Sequence, residues 1–268
     1  MKTLDLGLKY FGFRWWHFFS VKNNFSKLNL NKFDLIIDLQ SKFRNTIILK
    51  KIPNKNFYSS TLNFTFCTVK KKYLSVPNIV NKTISNLEKF LETKIQVINL
   101  KKNDLDNKYI KEAEKLLPNN KYIGISLTQG NLYRKKSWPI ENFIELAKKI
   151  EKINKTPVFF IEKNNHELIN KVKSQLSNAL FPEHNSNLSS PALVTALSER
   201  LELAISIDNG VMHMISLANI PMIVLFGPTN SEKFAPNNKN TIILDSKNLY
   251  NSDDISKIKI QDVMKYIN

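Results

Sequence analysis

A short polar turn between two apolar segments is the first place where this chain has residues suited to ligand chemistry. Asp208, Asn209 and Gly210 follow the apolar segment 203–207, and a second apolar segment spans residues 222–226. This spacing predicts a strand, a turn, a helix and a strand of one parallel sheet. Such a turn presents unpaired N–H groups at a helix N-terminus, where anions bind, although the same residues also suit an ordinary capped turn.

A cluster of cations lies after the predicted strand 122–126, whose last residue is Ser126. Residues 134–136 read Arg-Lys-Lys, and a proline suited to the first turn of a helix follows them. A cation at this strand end, facing the turn at 208–210, would hold a diphosphate from the opposite side. We therefore count these three cations and Ser126, together with that turn, as candidates for binding one ligand.

A second strand end carries polar residues in the N-terminal part of the chain. Residues 33–39 form a nearly continuous apolar run, which predicts a buried parallel strand. Asp38 and Gln40 lie at its C-terminal end, where open α/β sheets bind ligands, and Arg44 begins the helix predicted to follow. A carboxylate at this position can also simply cap the next helix.

The distribution of charge indicates an anionic partner. The chain has a formal net charge of +17, and residues 1–72 contain 14 Lys or Arg against 3 Asp or Glu. Nucleic acid, membrane headgroups and phosphorylated or acidic glycans are the candidates. A generally lysine-rich composition explains the number of cations, but not the shortage of acids in this part of the chain.

The aromatic segment 9–19 places rings between cations. It suits either a membrane interface or a helix buried against a sheet. No run approaches the roughly 20 apolar residues that span a bilayer, and the only cysteine, Cys67, excludes an internal disulfide. We therefore expect a cytoplasmic protein, with contact to the inner face of the membrane through its basic part as one alternative.

The order of the predicted elements indicates an α/β fold with two domains. From residue 121 onward strands and helices alternate, which is the pattern of a doubly wound, Rossmann-like domain with a parallel sheet. The polar stretch 101–106 predicts a linker. We expect a shorter N-terminal domain over residues 1–105 and a second domain over residues 106–268, which closes with a helix at 258–267.

Several segments, taken together in their order and spacing, resemble glycosyltransferase family 9, the bacterial lipopolysaccharide heptosyltransferases. Lys136-Ser-Trp-Pro resembles the Lys-x-Trp-Pro segment of that family. Its signature Asp-(Thr/Ser/Asn)-Gly-x-x-His, followed by Gly-Pro-Thr, is similar to Asp208-Asn-Gly-Val-Met-His213 and Gly227-Pro-Thr229. Two further segments with counterparts in the family are Asn187-Leu-Ser189 and Asp34-Leu-Ile-Ile-Asp-Leu-Gln40.

The resemblance implies a GT-B architecture of two Rossmann-like domains. It implies that the second domain binds a nucleotide-sugar donor, typically ADP-heptose, and that the first receives the anionic inner core of lipopolysaccharide. Lys136 would contact the diphosphate of the donor, and the turn at 208–210 its phosphates and sugar, with Ser126 beside them. His213, one helical turn onward, would hydrogen-bond the leaving phosphate, unless it is a buried histidine whose hydrogen bonds are satisfied.

The same resemblance implies an inverting transfer without a bound metal or other cofactor. Family members open with a strand ending in a Gly-Asp loop, whose Asp is thought to be the general base, and this chain has no Gly-Asp before residue 33. We expect a first domain without its first βα unit, Asp38 as the nearest replacement for the base, and Gln40 and Arg44 on the acceptor side. The alternative is a degenerate protein that binds a nucleotide sugar without transferring it. Nucleic acid is not an expected partner, because no recognised binding motif is present.

Overall fold

Both parts of the chain are built from parallel strands and helices, which confirms the predicted α/β class. Contacts between Cα atoms divide the chain into two units, Met1–Gln96 and Val97–Asn268, whereas the polar linker predicts a boundary between residues 105 and 106. The structure is a computed structural model, and it describes residues 14–26, 32–96, 104–119, 121–128 and 136–267.

The first unit is built on two parallel strands. β1 and β2 pair with Asp38 opposite Ser59 at their carboxyl ends, and α2 forms the crossover that a parallel pair requires. One buried cluster lies around Tyr58 and α3, and another lies around Ile48 between α1 and α2. In chain order the elements are α1 His17–Ser26, β1 Phe33–Asp38, α2 Phe43–Lys50, β2 Asn54–Ser59 and α3 Ile79–Leu91.

β1 is less buried than its apolar run predicts. Leu35 and Ile36 are half-buried, and Ile37 is 40% exposed. Within the described residues β1 pairs with β2 alone, so its other edge has no neighbouring strand to shield it from water. In the part of the chain that the structure describes, the sheet of the first unit therefore has fewer strands than a full Rossmann-like sheet.

The second unit has five parallel strands in the order β4-β3-β5-β6-β7. All residues of β3, β5 and β6 are buried, because helices cover both faces of the sheet. One face packs on α5, α6 and α11, and the other on α4, α7 and α8. The elements are α4 Asn107–Leu116, β3 Tyr122–Ser126, α5 Ile140–Lys152, β4 Thr156–Phe160, α6 His166–Lys173, α7 Pro191–Ser198, β5 Leu203–Ile207, α8 Gly210–Ser216, β6 Met222–Phe226, α9 Ser231–Phe234, β7 Thr241–Asp245, α10 Ser246–Tyr250 and α11 Ile260–Met264.

The closing helix is shorter than the predicted range 258–267. A 3-10 turn over Ile255–Lys257 comes before α11, and the backbone at Ile258 between them is extended. The carbonyl of Ile258 accepts a hydrogen bond of 2.8 Å from Nε1 of the buried Trp138. This bond explains the break, because a helix running through Ile258 would turn that carbonyl along its own axis. It also makes Trp138 a packing anchor for the segment before α5.

The aromatic segment near the N-terminus is divided between two environments. His17 is buried, whereas Trp15, Trp16 and Phe19 are 56%, 64% and 80% exposed. Residues 9–13 of that segment lie outside the described residues. Within the described ranges no helix combines the length and the apolar character needed to cross a membrane.

Candidate functional site

The carboxyl ends of β3 and β5 mark the point where the strand order of the second sheet reverses. The chain runs from β3 outward to β4 and then returns to place β5 on the other side of β3. Loops leaving two such strands turn toward opposite faces of the sheet and open a crevice, in which open α/β sheets bind ligands. Ser126 ends β3 and Asp208 follows β5, so two of the predicted residues lie at this crevice.

Asn209 fixes the turn to the neighbouring strand. Its Oδ1 accepts a hydrogen bond of 2.8 Å from the backbone N–H of Met212, which caps α8. Its Nδ2 donates to Oγ of Ser126 at 2.9 Å and to the carbonyl of Thr128 at 2.8 Å. Ser126 is completely buried. The side chains of Asn209 and Ser126 therefore brace the crevice from within, and their role in binding a donor stays a prediction.

Lys136 lies at the same turn, although 72 residues separate it from Asp208 in the sequence. Its ammonium group donates a hydrogen bond to Oδ2 of Asp208, and the two side chains are only 13% and 9% exposed. Salt screens an ion pair at this depth much less than one at the surface, so the contact holds Lys136 in one place. A fixed cation thus lies in the crevice.

Gly210 and His213 lie on the first turn of α8. A Cβ atom added to Gly210 would meet no other atom within 4 Å, so the packing of the protein does not require glycine there. His213 is exposed, and its ring makes no hydrogen bond within the described part of the chain, so it is not the buried histidine of the alternative interpretation. Loss of hydration on its packed side lowers the pKa of His213, Asp208 opposes this effect, and Lys136 adds to it. The imidazole is therefore neutral at pH 7.

Two cavities open beside the crevice at the carboxyl edge of the sheet. One, of about 450 Å³, is bounded by the loop after β4, by α7 and by α8. The other, of about 700 Å³, is bounded by the first turns of α5 and α6. Thr128, Glu162 and Asn164 line both cavities, and the Thr128 hydroxyl donates to Oε1 of Glu162 at 3.1 Å. Each volume is within the usual range for a small-molecule site.

Sequence reasoning missed two acidic residues that line these cavities, Glu162 and Glu183. Glu162 lies two positions after β4, and a carboxylate at the end of a strand next to the reversal was a usable signal. Glu183 had no such signal, because it lies on a 3-10 turn over Pro182–Asn185 that tertiary packing folds back against β4.

Asp38 has a different setting in the first unit. It is 2% exposed and accepts four hydrogen bonds of 2.5 to 3.1 Å. Two come from the backbone N–H groups of Gln40 and Ser41, and two come from the hydroxyls of Thr46 and Ser59. These bonds explain how the carboxylate of Asp38 can be buried. They make it a structural group that holds the loop after β1 in place. They give no support to the predicted role of Asp38 as a base.

The two predicted acceptor-side residues lie at the start of α2, with Gln40 before the helix and Arg44 in its first turn. Gln40 is exposed, and its Oε1 accepts a hydrogen bond from the side-chain amide of Asn45. Arg44 is half-buried, and its Nε atom is buried without a hydrogen-bond partner among the described residues. The Nε–H group of Arg44 is therefore a hydrogen-bond donor that these residues do not satisfy. The contact of Arg44 with an acceptor stays a prediction.

A metal centre is not seen among the residues that the structure describes. No three His, Cys, Asp or Glu side chains in those ranges come together in a way that could hold a metal ion. Cys67 is buried as a free thiol in the core of the first unit.

Comparison with known proteins identifies a related family. The family model for glycosyltransferase family 9 (heptosyltransferase) matches residues 22–265. No curated protein sequence matches the chain.

Three solved structures share the fold. A family 9 glycosyl transferase from Veillonella parvula DSM 2008 has a TM-score of 0.72 and 19% identity, with coverage of 92% of this chain and 76% of that one. The E. coli heptosyltransferase WaaC with ADP has a TM-score of 0.69 and 16% identity, with coverage of 92% and 75%. The E. coli ADP-heptose lps heptosyltransferase II has a TM-score of 0.64 and 14% identity, with coverage of 92% and 78%.

Proposed function

Because the chain belongs to glycosyltransferase family 9, we propose that it moves a heptose, or a similar sugar, from an ADP-sugar to the inner core of lipopolysaccharide. Structures of WaaC with ADP and with ADP-2-deoxy-2-fluoro heptose support an ADP-sugar as the donor. The observation in this chain that carries the proposal is the ion pair between Lys136 and Asp208, which lies at the strand reversal of a doubly wound sheet.

The donor diphosphate binds at the turn that opens α8. Lys136 supplies the positive charge, and the open space in front of Gly210 lets the phosphates approach the backbone. Asp208 cannot attract phosphate by its charge, and instead orients Lys136 and accepts a hydrogen bond from a sugar hydroxyl. Asn209 and Ser126 keep the turn in register with β3.

The nucleoside half of the donor occupies the cavity of about 450 Å³. Val211 and Met214 of α8 form part of its wall, so the cavity begins next to the turn proposed for the diphosphate. Phe160, Ile161 and Val194 add an apolar surface suited to a flat base. The donor would therefore lie across the carboxyl edge of the sheet, with its sugar beyond the diphosphate.

The transfer inverts the configuration at the anomeric carbon. The acceptor oxygen forms a bond to this carbon, the bond from the carbon to the diphosphate oxygen breaks, and the acceptor proton passes to a base. Negative charge grows on the leaving diphosphate, and the ammonium group of Lys136 and the imidazole N–H of His213 stabilise it. Fixed positions for donor and acceptor supply a further part of the rate. No metal or cofactor has a role in this scheme, so added EDTA should leave transfer unchanged.

A second candidate function follows from the environment of Asp38. Its oxygen atoms already accept four hydrogen bonds, which leaves the predicted base occupied by structural contacts. A protein without a base would bind a nucleotide sugar and not transfer it. The two candidates differ in one measurement, the transfer of sugar from ADP-heptose to a lipopolysaccharide inner-core acceptor.

Binding of ADP tests the donor site that both candidates share. By isothermal titration we expect Lys136→Ala to weaken ADP binding by about 100-fold, since a desolvated charge pair with phosphate contributes about 3 kcal/mol. Lys148→Ala, which removes an exposed lysine of α5 bonded to Gln175, is the matched control and should bind ADP as the wild type does. Equal affinities for all three proteins would contradict the proposed site.

We further infer that the first unit contacts an anionic membrane surface at the cytoplasmic face. Trp15, Trp16 and Phe19 are exposed, and they belong to a part of the chain rich in cations and poor in acids. Aromatic rings beside cations are favoured at a bilayer interface. The same positive charge would attract the phosphates and acidic sugars of the acceptor.

Vesicle flotation tests this contact. The protein should float with phosphatidylglycerol vesicles, and not with phosphatidylcholine vesicles, and high salt should release it. The triple variant W15S/W16S/F19S should lose most of the binding, whereas Leu249→Ser, an exposed apolar residue of the second unit, should keep it. If the triple variant bound phosphatidylglycerol vesicles as well as the wild type does, the inference would be overturned.

A further inference from the structure

One acidic residue in the cavity proposed for the nucleoside has no structural use. Glu183 lines the cavity from the 3-10 turn, and its carboxyl makes no hydrogen bond or ion pair within the described residues. Ser189 and Ser190 bring hydroxyl groups to the same cavity, Glu162 and Lys163 add charged groups, and the rest of its surface is mostly apolar. A polar group without a partner, in a largely apolar cavity, is suited to recognising the polar edge of a ligand.

The charged groups around Glu183 set its protonation. Glu162 and Lys163, in the loop after β4, are the charged residues that act on it, and the Lys163 ammonium donates to the carbonyl of Ser186 at 2.6 Å. His184, on the same turn as Glu183, contacts the carbonyl of Ile161 through its Nε2. The helix α7, which also packs against this turn, has no titratable residue in its sequence Pro-Ala-Leu-Val-Thr-Ala-Leu-Ser.

Burial is the main influence on this carboxyl. Burial and the negative charge of Glu162 raise the pKa of Glu183 to about 7, while Lys163 acts in the opposite direction. Near neutral pH the side chain therefore exists in both forms. The protonated form has one O–H donor and one carbonyl acceptor, whereas the ionised form has acceptors only.

We propose that Glu183 is the residue that reads the nucleobase of the donor, and that its protonated form selects adenine. This inference rests on the proposed function, because it takes the cavity to hold the nucleoside. Adenine presents an acceptor at N1 beside a donor at its 6-amino group, which matches a carboxylic acid through two hydrogen bonds. Guanine presents two donors side by side, at N1 and its 2-amino group, which matches a carboxylate instead.

The ratio of affinities for ADP and GDP tests the proposal. The two ligands have the same diphosphate, so titration of their phosphates cancels in the ratio. Between pH 6 and pH 8 the protonated fraction of a group with a pKa of about 7 falls about tenfold. We expect the preference for ADP over GDP, measured by isothermal titration, to fall by about tenfold or more across this range.

Two variants separate recognition from a general effect of pH. Glu183→Gln keeps one donor and one acceptor at every pH, so it should prefer ADP equally at pH 6 and pH 8. Glu183→Ala should bind both nucleotides with little preference at either pH. Glu167→Gln, an exposed carboxyl on α6, is the matched control and should retain the pH-dependent ratio of the wild type.

The outcomes distinguish this inference from the proposed function. If neither ADP nor GDP binds the wild type, the proposed function fails. If both bind but their ratio is the same at pH 6 and pH 8, or if Glu183→Ala keeps the wild-type ratio, the role of Glu183 is overturned while the donor site stands. Thermal melting of each variant at both pH values checks that the protein remains folded in these titrations.

Discussion

Two aspartates at the carboxyl ends of parallel strands, one in each unit, have very different surroundings. Asp38 ends β1 and accepts hydrogen bonds from four uncharged donors, two of them on Thr46 and Ser59. Asp208 follows β5 and is paired with the ammonium group of Lys136. Both residues are buried, at 2% and 8% exposure. Burial and position in the topology therefore do not distinguish them, and their partners do.

The difference in partners determines what each carboxylate contributes. Neutral donors satisfy the oxygens of Asp38 and tie β1, α2 and β2 together, so this residue stabilises the fold. The partner of Asp208 is a cation that comes from a distant part of the chain, and the pair keeps that cation at a crevice. A carboxylate that positions a charge at a ligand-binding edge serves the site more than the fold.

The largest effect that would separate the two aspartates is on stability. Asp38→Ala removes the shared acceptor of two backbone N–H groups and of the buried Thr46 and Ser59 hydroxyls, and we expect the free energy of unfolding of the first unit to fall by about 3 to 5 kcal/mol. Urea unfolding measures this change. Asp34→Ala on the same strand removes only an exposed ion pair with Lys55, and the unfolding midpoint should not move. A small effect of Asp38→Ala would show that its hydrogen bonds are not structural.

A double-mutant cycle sharpens the comparison at the other aspartate. Asp208→Asn removes the carboxylate that pairs with the charge of Lys136 in the crevice, which should lower the free energy of unfolding by about 2 to 3 kcal/mol. Adding Lys136→Met should restore most of that loss, because no buried charge then remains. We expect ADP binding to stay weak in the double variant, which separates the role in binding from the role in stability. Additive losses in the cycle would contradict the pairing.

Glu183 offers a third carboxyl for the comparison, one that has no ion pair within the described ranges. Its pKa in the folded protein, about 7, is above the ordinary value of 4.5. As the pH rises from about 4.5 to about 7, the unfolded chain ionises this group before the folded protein does, so the folded state loses stability. Glu183→Gln removes the penalty. In urea unfolding the variant should exceed the wild type by about 1 to 3 kcal/mol at pH 8, and by little at pH 4.5. A gain that is equal at both pH values would show that Glu183 is not buried in its charged form.

The smallest effect on stability is expected at Gly210, beside Asp208. Since a Cβ there meets no atom within 4 Å, Gly210→Ala should change the free energy of unfolding by about 0.5 kcal/mol or less. It should nevertheless weaken ADP binding about tenfold, because the methyl group occupies the space proposed for the diphosphate. Gly227→Ala is the contrasting control. Its Cβ would lie 2.7 Å from Cβ of Ile255, and the clash should destabilise the fold by about 1 to 3 kcal/mol.

Much of the second unit could be predicted, because its signals are local. The apolar segments, the turn at Asp208 to Gly210 and the helix after residues 134–136 follow patterns that are local in the sequence, and the structure has strands and helices there. The break of the closing helix at Ile258 was missed, because a hydrogen bond from Trp138, far away in the sequence, causes it.

The first unit was harder to predict for the same physical reason. The apolar run of β1 predicts a strand buried on both faces, but how deeply a strand is buried depends on how many others flank it. No pattern in the linear sequence indicates that the hydroxyls of Thr46 and Ser59 donate hydrogen bonds to Asp38. Folding brings them together, and only their contacts show that the carboxylate is occupied.

The sequence by itself determined the α/β class, the parallel strands, the family resemblance and the polar residues that could lie at strand ends. Only the tertiary structure decided which of those residues meet. Strand order places β3 beside β5 and so brings Lys136 to Asp208, while packing leaves Glu183 without a hydrogen bond or ion pair to any residue that the structure describes. The physical reason is that backbone patterns depend on neighbours in sequence, whereas ion pairing, hydrogen bonding and loss of hydration depend on neighbours in space.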